Sequence, residues 1–158
     1  MKEKLELINK NGINPNWIRP DLKRERGEIE RVLQEFLGEV PSKENLKRVM
    51  EILDNAPMAE LSEELWESLE NTDSFHNIRP GHLEDIEKIV EEYNQELDPE
   101  NKRYFERHLE RYLKGIPMET PTIIRNKDGI SHLISGNTRL MVARALGVRP
   151  KVVIGEWN

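Results

Sequence analysis

The chain of 158 residues contains no cysteine. Disulfides, thiolate metal sites and cysteine nucleophiles are therefore excluded, and the chain has no stake in an oxidising compartment. No apolar run approaches the roughly 20 residues that span a bilayer. The opening stretch, Met1 to Lys10, is charged and amphipathic, without the apolar centre of a signal peptide. Together these absences predict a soluble, cytoplasmic protein with no membrane partner. Apolar residues are sparse, 36% against 34% charged, yet they recur periodically, which places the chain among folded rather than disordered proteins. Its length suits one full-sized core.

Negative charge dominates, with a net charge of -6, but unevenly. Residues 116–158 hold six basic and three acidic side chains, and residues 1–115 hold 18 basic and 27 acidic ones. A basic C-terminal third suits a phosphate-bearing ligand, while the acidic remainder argues against a broad nucleic-acid footprint. The same asymmetry also fits an ordinary solvated surface.

Most of the first 115 residues read as helices. From Glu28 to Leu37 the apolar positions Ile29, Val32, Leu33, Phe36 and Leu37 paint one helical stripe. Pro41-Ser42 opens a second helix, holding Leu46, Val49, Met50, Ile52 and Leu53, which Asn55-Ala56-Pro57 closes. Ser62 caps a short third one with Leu65, Trp66 and Leu69. A turn-rich stretch, 71–81, marks a boundary. Beyond it Leu83, Ile86, Ile89, Val90 and Tyr93 mark a helix, and Asp98-Pro99 starts another that runs through Tyr104, Phe105, Leu109, Tyr112 and Leu113 to Gly115. The spacing of those aromatics is that of a buried stripe rather than a base-stacking platform. Ile18-Arg19-Pro20 and Ile78-Arg79-Pro80 echo each other, which we read as repeated use of proline ahead of a helix.

After Gly115 the texture changes. Thr122-Ile123-Ile124-Arg125 is a short β-run, Asn126-Lys127-Asp128-Gly129 a turn, and Ile130 to Ile134 the returning strand. A helix follows from about Thr138 to Leu146, stopped by Gly147, and a last strand, Lys151-Val152-Val153-Ile154, comes after Pro150. The pattern predicts an α+β protein: a helical extension over 1–75, packed on a small mixed sheet within 76–158.

Chemistry is most legible at the strand-to-helix junction Ser135-Gly136-Asn137-Thr138-Arg139. The first amides of a helix lack intrahelical partners and its dipole favours an anion there. Gly136 lets the backbone approach closely, Asn137 and Thr138 offer short polar side chains, and Arg139 offers a planar fork matched to phosphate. A cation in the first turn opposes the dipole by about a few tenths of a kcal/mol unless an anion sits nearby. That anion is either a ligand phosphate or an acid of the helical region, with Ser135, Asn137 or Thr138 capping the helix.

The stretch TIIRNKDGISHLISGNTRLMVARALGVRPKVVI resembles the core of the ParB/sulfiredoxin superfamily, in which an apolar hairpin leads to a Gly-x-x-Arg box, an alanine-containing helix ending in Leu-Gly, and a strand after proline. Here the box is Gly136-Asn137-Thr138-Arg139, followed by Ala143, Ala145, Leu146-Gly147 and Pro150. The likeness covers residues 122–154, or 76–154 if residues 76–115 supply the family's leading segment. It implies a ParB/sulfiredoxin-like sheet and a nucleotide-phosphate site formed by Ser135 to Arg139, with ATP or CTP and Mg2+ as cofactor. Asn77-Ile78-Arg79-Pro80 is the best match to the family's second basic segment, which makes Arg79 a further binding residue. Superfamily members include CTP-dependent partition clamps, ATP-using sulfiredoxins, free-serine kinases and ParB-like nucleases. The absence of cysteine excludes sulfiredoxin activity, and a chain ending at Asn158, without a helix-turn-helix domain, argues against sequence-specific clamping.

The resemblance leads to a kinase-type phosphotransferase acting on a hydroxyl of a small molecule or modified nucleobase. Such a reaction needs a carboxylate near the nucleotide, and Glu84 and Asp85, after the Arg79 segment, are the catalytic candidates. The alternative is a non-catalytic nucleotide switch or DNA-binding module. A nuclease fits less well, because no metal-binding carboxylate cluster is identifiable. His76, His82 and His132 match no compact zinc spacing, so no metal site is expected beyond magnesium carried by the nucleotide. Acceptor and oligomeric state are not legible.

Overall fold

The computed structural model describes residues 2–69, 95 and 105–157. Its fold is mixed α/β. In chain order the elements are α1 (Lys2–Asn11), β1 (Trp17–Ile18), α2 (Arg26–Leu37), α3 (Lys43–Asn55), β2 (Met58–Glu60), α4 (Glu63–Ser68), α5 (Phe105–Lys114), β3 (Met118–Glu119), β4 (Thr122–Arg125), β5 (Ser131–Ser135), α6 (Asn137–Leu146) and β6 (Lys151–Glu156).

Four strands form the main sheet in the order β2-β6-β4-β5. The β4–β5 hairpin is antiparallel, β6 lies parallel to β4, and β2 closes the other edge antiparallel to β6. Both faces of this sheet are apolar, because successive residues of a strand point to opposite sides. Ile123, Leu133 and Val152 join one core with α1, α4, α5 and α6, while Ile124, Ile134 and Val153 join a second with α2 and α3. The paired apolar residues of each strand are thus the signature of a sheet covered on both sides. At about 1.5–3 kcal/mol for each large apolar side chain fully buried, these six positions bind the two helical layers to one sheet.

Local signals place the ends of the helices. Ser42 Oγ accepts from Asn45 N at 3.0 Å, and Ser62 Oγ accepts from Leu65 N at 3.2 Å, each satisfying an amide of the first turn. Gly147 closes α6 in the left-handed region, φ 69°. In the hairpin, Asn126 Oδ1 accepts from Asp128 N at 2.9 Å and from Ile130 N at 3.0 Å, so the turn is held by a side chain as well as by Gly129 at φ 81°.

Three short strands depart from the sequence reading: β1 and β2 fall where most of the chain was read as helical, and β3 lies between Gly115 and the first expected strand. β2 adds residues 58–60 to the main sheet, and β1 pairs in parallel with β3, Trp17 opposite Met118. Each is only two or three residues long and its partner lies far along the chain, so no local periodicity reveals it. Arg19 was likewise read only as part of a proline motif. Its guanidinium donates to Ala56 O at 2.7 Å and to Leu53 O at 2.8 Å, capping the orphan carbonyls of α3. The expected helix over 83–93 and the first part, 98–104, of the helix expected from Asp98 to Gly115 lie outside the described residues, and the remainder of the latter is α5.

Gly155 of β6 sits against α3, where an added Cβ would collide with Ile52 Cγ2 and lie 3.2 Å from Ile124 Cδ1. Gly155→Ala should cost about 1–3 kcal/mol by overpacking, measured by urea denaturation. An unchanged midpoint would show that α3 is free to shift away from the sheet.

Candidate functional site

The junction is built by four segments. Strand β5 ends at Ser135, whose Oγ lies 2.6 Å from Thr122 Oγ1 in a buried hydroxyl pair across the hairpin. Gly136 then turns the chain at φ 89°, and an added Cβ would stand 2.8 Å from Pro121 Cα and 3.1 Å from Arg139 Nη2. A side chain there would meet both unfavourable φ and backbone contact, so glycine is required. Helix α6 begins at Asn137, and Leu140 N donates to Gly136 O at 2.9 Å.

The opposing wall comes from the start of α2. Asp21 O accepts from Arg24 N and Glu25 N, a turn that delivers Glu25 to the first position before the helix. Glu25 is 8% exposed, and its carboxylate pairs with the Arg139 guanidinium. Glu28, one turn on, accepts weakly from Asn137 N at 3.4 Å. The β1–β3 ladder brings Glu119 to the same place: Glu119 Oε2 lies 3.9 Å from Arg139 Nη1, and its Oε1 lies 3.9 Å from Arg24 Nη1. Arg139 Nη2 also reaches Thr120 O at 3.5 Å.

The anion required by the helix start and by Arg139 is therefore supplied within the chain. No side chain caps α6 at its N-cap residue, which is Gly136 itself. Asn137 and Thr138 are the first residues of the helix rather than its cap, and Ser135 spends its hydroxyl on Thr122. Of the two partners foreseen for Arg139, an acid of the helical region is the one seen. None of Glu25, Glu28 and Glu119 was assigned to the junction in the sequence reading, where Glu28 appeared only as the start of a helix. A first-turn cation signalled that some acid was needed, but with 27 acids in residues 1–115 nothing local selected among them.

The match of charges is incomplete. Glu25 Oε2, Thr120 Oγ1 and Arg139 Nε are buried without a hydrogen-bond partner among the described residues. These orphans belong to three residues joined through one guanidinium, and buried polar atoms are seldom left unpaired without a reason. Burial pushes the Glu25 carboxyl above its usual 4.5, outweighing the opposite pull of Arg139, and Glu28 and Glu119 raise it further.

His132, the described histidine of the three considered, packs edge-on against Phe36 with ring centroids 4.9 Å apart. Among the described residues no group of three or more His, Asp or Glu side chains is placed to hold a metal ion. Arg79, Glu84, Asp85, His76 and His82 lie outside the described residues. No helix among those described is long and apolar enough to cross a membrane. The chain matches no family model, no curated protein and no solved structure.

A raised folded value means that the folded state holds the Glu25 proton more tightly than the unfolded chain does. This contribution is complete below the usual carboxylate range and is lost as pH rises through the raised value. Glu25→Gln removes it, so the variant's stability relative to wild type should improve as pH rises above the usual carboxylate range, read from urea midpoints. A difference independent of pH would show that Glu25 titrates as an exposed acid does.

Proposed function

We propose that the protein is a nucleotide-binding module of ParB/sulfiredoxin type, which takes a nucleotide phosphate at the turn Gly136 to Arg139. The observation that carries this reading is the cluster of unsatisfied buried atoms around Arg139, at a helix start already furnished for an anion. Glu25 occupies the position a phosphate would take. Exchange of that carboxylate for a phosphate would give Arg139 a bidentate partner and bring Thr120 Oγ1, a potential donor, within the same niche. The order of hairpin, turn, helix and strand supports the family resemblance.

The residues fit a phosphate in their donors and resist it in their carboxylates, since Glu28 and Glu119 remain beside the site. Magnesium bound with ATP or CTP would offset that negative charge. Arg79, on this reading a second phosphate contact, lies in the segment not described.

Turnover is the second reading, and one observation favours it. Phosphoryl transfer needs a carboxylate near the nucleotide to accept the proton of an acceptor hydroxyl, and Glu119 stands 3.9 Å from Arg139. It joins Glu84 and Asp85 as a candidate for that role. A kinase would transfer the terminal phosphoryl group to a small-molecule or nucleobase hydroxyl. A switch would bind and release nucleotide while presenting its helical layer to DNA or another partner.

Calorimetric titration with ATP and CTP, each with magnesium, separates these possibilities. Arg139→Ala should lose saturable binding, at least a tenfold fall in affinity. Glu25→Gln should bind more tightly than wild type, because the competing carboxylate is gone. Unchanged affinity in a folded Arg139→Ala protein would remove the turn from consideration. If the protein is a kinase, Glu119→Gln, Glu84→Gln or Asp85→Asn should spare binding and stop product formation.

A further inference from the structure

A second region of unsatisfied charge lies on the far side of the α2 start. Between the segment Pro20–Arg26 and helix α3 is an open cleft of about 740 Å³. Lys23, Arg26, Lys43 and Lys47 line it, above a floor that includes Leu22 and Leu46. The opposing charges are Asp21 and Asp54. Asp21 Oδ1 already accepts from Lys23 N at 3.1 Å, which turns that carboxylate toward its own backbone.

The four cations are poorly matched by acids. Lys47 makes an exposed contact with Glu51 at 3.9 Å, and among the described residues no ion pair engages Lys23, Arg26 or Lys43. In a chain of net charge -6, with 30 acidic side chains, three cations around one cleft that make no ion pair among the described residues leave a local excess of positive charge. Lys43 and Arg26 also stand at the first positions of α3 and α2, where a cation opposes the helix dipole. The start of α3 is already capped by Ser42, so the case for a ligand rests on the side-chain charges and the shape of the cleft.

We propose that this cleft binds a small molecule carrying at least two phosphate groups. Four cations around one cleft of this volume carry more positive charge than a single phosphate neutralises. The cleft volume lies within the range of small-molecule sites, about 300–1,000 Å³. A long nucleic acid fits less well, because the chain as a whole carries a net charge of -6. The apolar floor gives a non-phosphate part of the ligand a surface to rest on. This site is separate from the Gly136–Arg139 turn: Lys23 and Arg26 face the cleft, whereas Glu25 and Glu28 of the same stretch face the turn.

The test is titration calorimetry with sodium tripolyphosphate and, in parallel, ATP, on wild type, Lys43→Glu/Lys47→Glu, Lys43→Ala/Lys47→Ala and Arg139→Ala. Both lysines are exposed, so the double variants should keep the wild-type melting temperature to within a few degrees. Saturable tripolyphosphate binding is expected, weakened at least tenfold by charge reversal, less by alanine, and changed less than twofold in Arg139→Ala. Tighter binding of ATP than of tripolyphosphate by Arg139→Ala, in which the turn no longer contributes, would add that the apolar floor engages the ligand. Absence of saturable tripolyphosphate binding, or binding that survives charge reversal, overturns the proposal. Loss in Arg139→Ala alone would assign the anion to the turn and overturn the cleft. Retention of cleft binding with no Arg139-dependent nucleotide binding would instead defeat the turn reading and leave the cleft standing.

Discussion

The constraint on which the architecture depends is that the main sheet has no wet face. Ile123 beside Ile124, Leu133 beside Ile134 and Val152 beside Val153 put apolar side chains on both sides of three adjacent strands. Each face must then be covered, so two helical layers are obligatory rather than incidental. The N-terminal helices α2 and α3 form one cover, and α1, α4, α5 and α6 form the other. Arg19 fixes the first cover at its edge by capping α3, and β1 pairs with β3 to run the 19–25 segment past Glu119 and Thr120. The fold thus delivers an acidic helix start to a basic turn that is more than a hundred residues away.

That meeting decides the character of the turn. A strand-to-helix junction with glycine in the left-handed region and arginine one turn into the helix attracts negative charge whatever its source. Here carboxylates from α2 and from β3 surround one guanidinium. The arrangement is overloaded with negative charge: burial and two neighbouring acids hold Glu25 toward its protonated form, even with Arg139 beside it. A buried pair of this kind is weak support for stability, and it leaves three polar atoms unsatisfied. A site that binds an anion imperfectly is more open to exchange than one whose partners are complete.

Much of the local structure was legible in the sequence. Ser42, Ser62 and Gly147 marked helix ends through capping chemistry that acts over three or four residues, and the Asn126–Gly129 turn announced its hairpin. The left-handed Gly136 and the demand of Arg139 for an anion were legible in the same way. What was not legible came from contacts across long separations: β1, β2 and β3 are too short to carry a period, and the identity of Glu25 as the partner of Arg139 depends on how both faces of the sheet are covered. The cleft cations were unreadable for the same reason, since Lys23, Arg26, Lys43 and Lys47 share no sequence pattern and meet only when α2 and α3 pack.

The position of β6 sets the order in which the molecule can be assembled. It comes last among the described elements, yet it lies inside the sheet, between β2 from the first half of the chain and β4. Until residues 151–156 arrive, β2 has no hydrogen-bonding neighbour and the apolar faces of α2 and α3 have only part of their counterpart. The early helices therefore lack part of their covering partner until the last described strand is made. The pairing of β2 with β6 joins residues 58–60 to 151–153, and contacts of such long sequence separation slow folding.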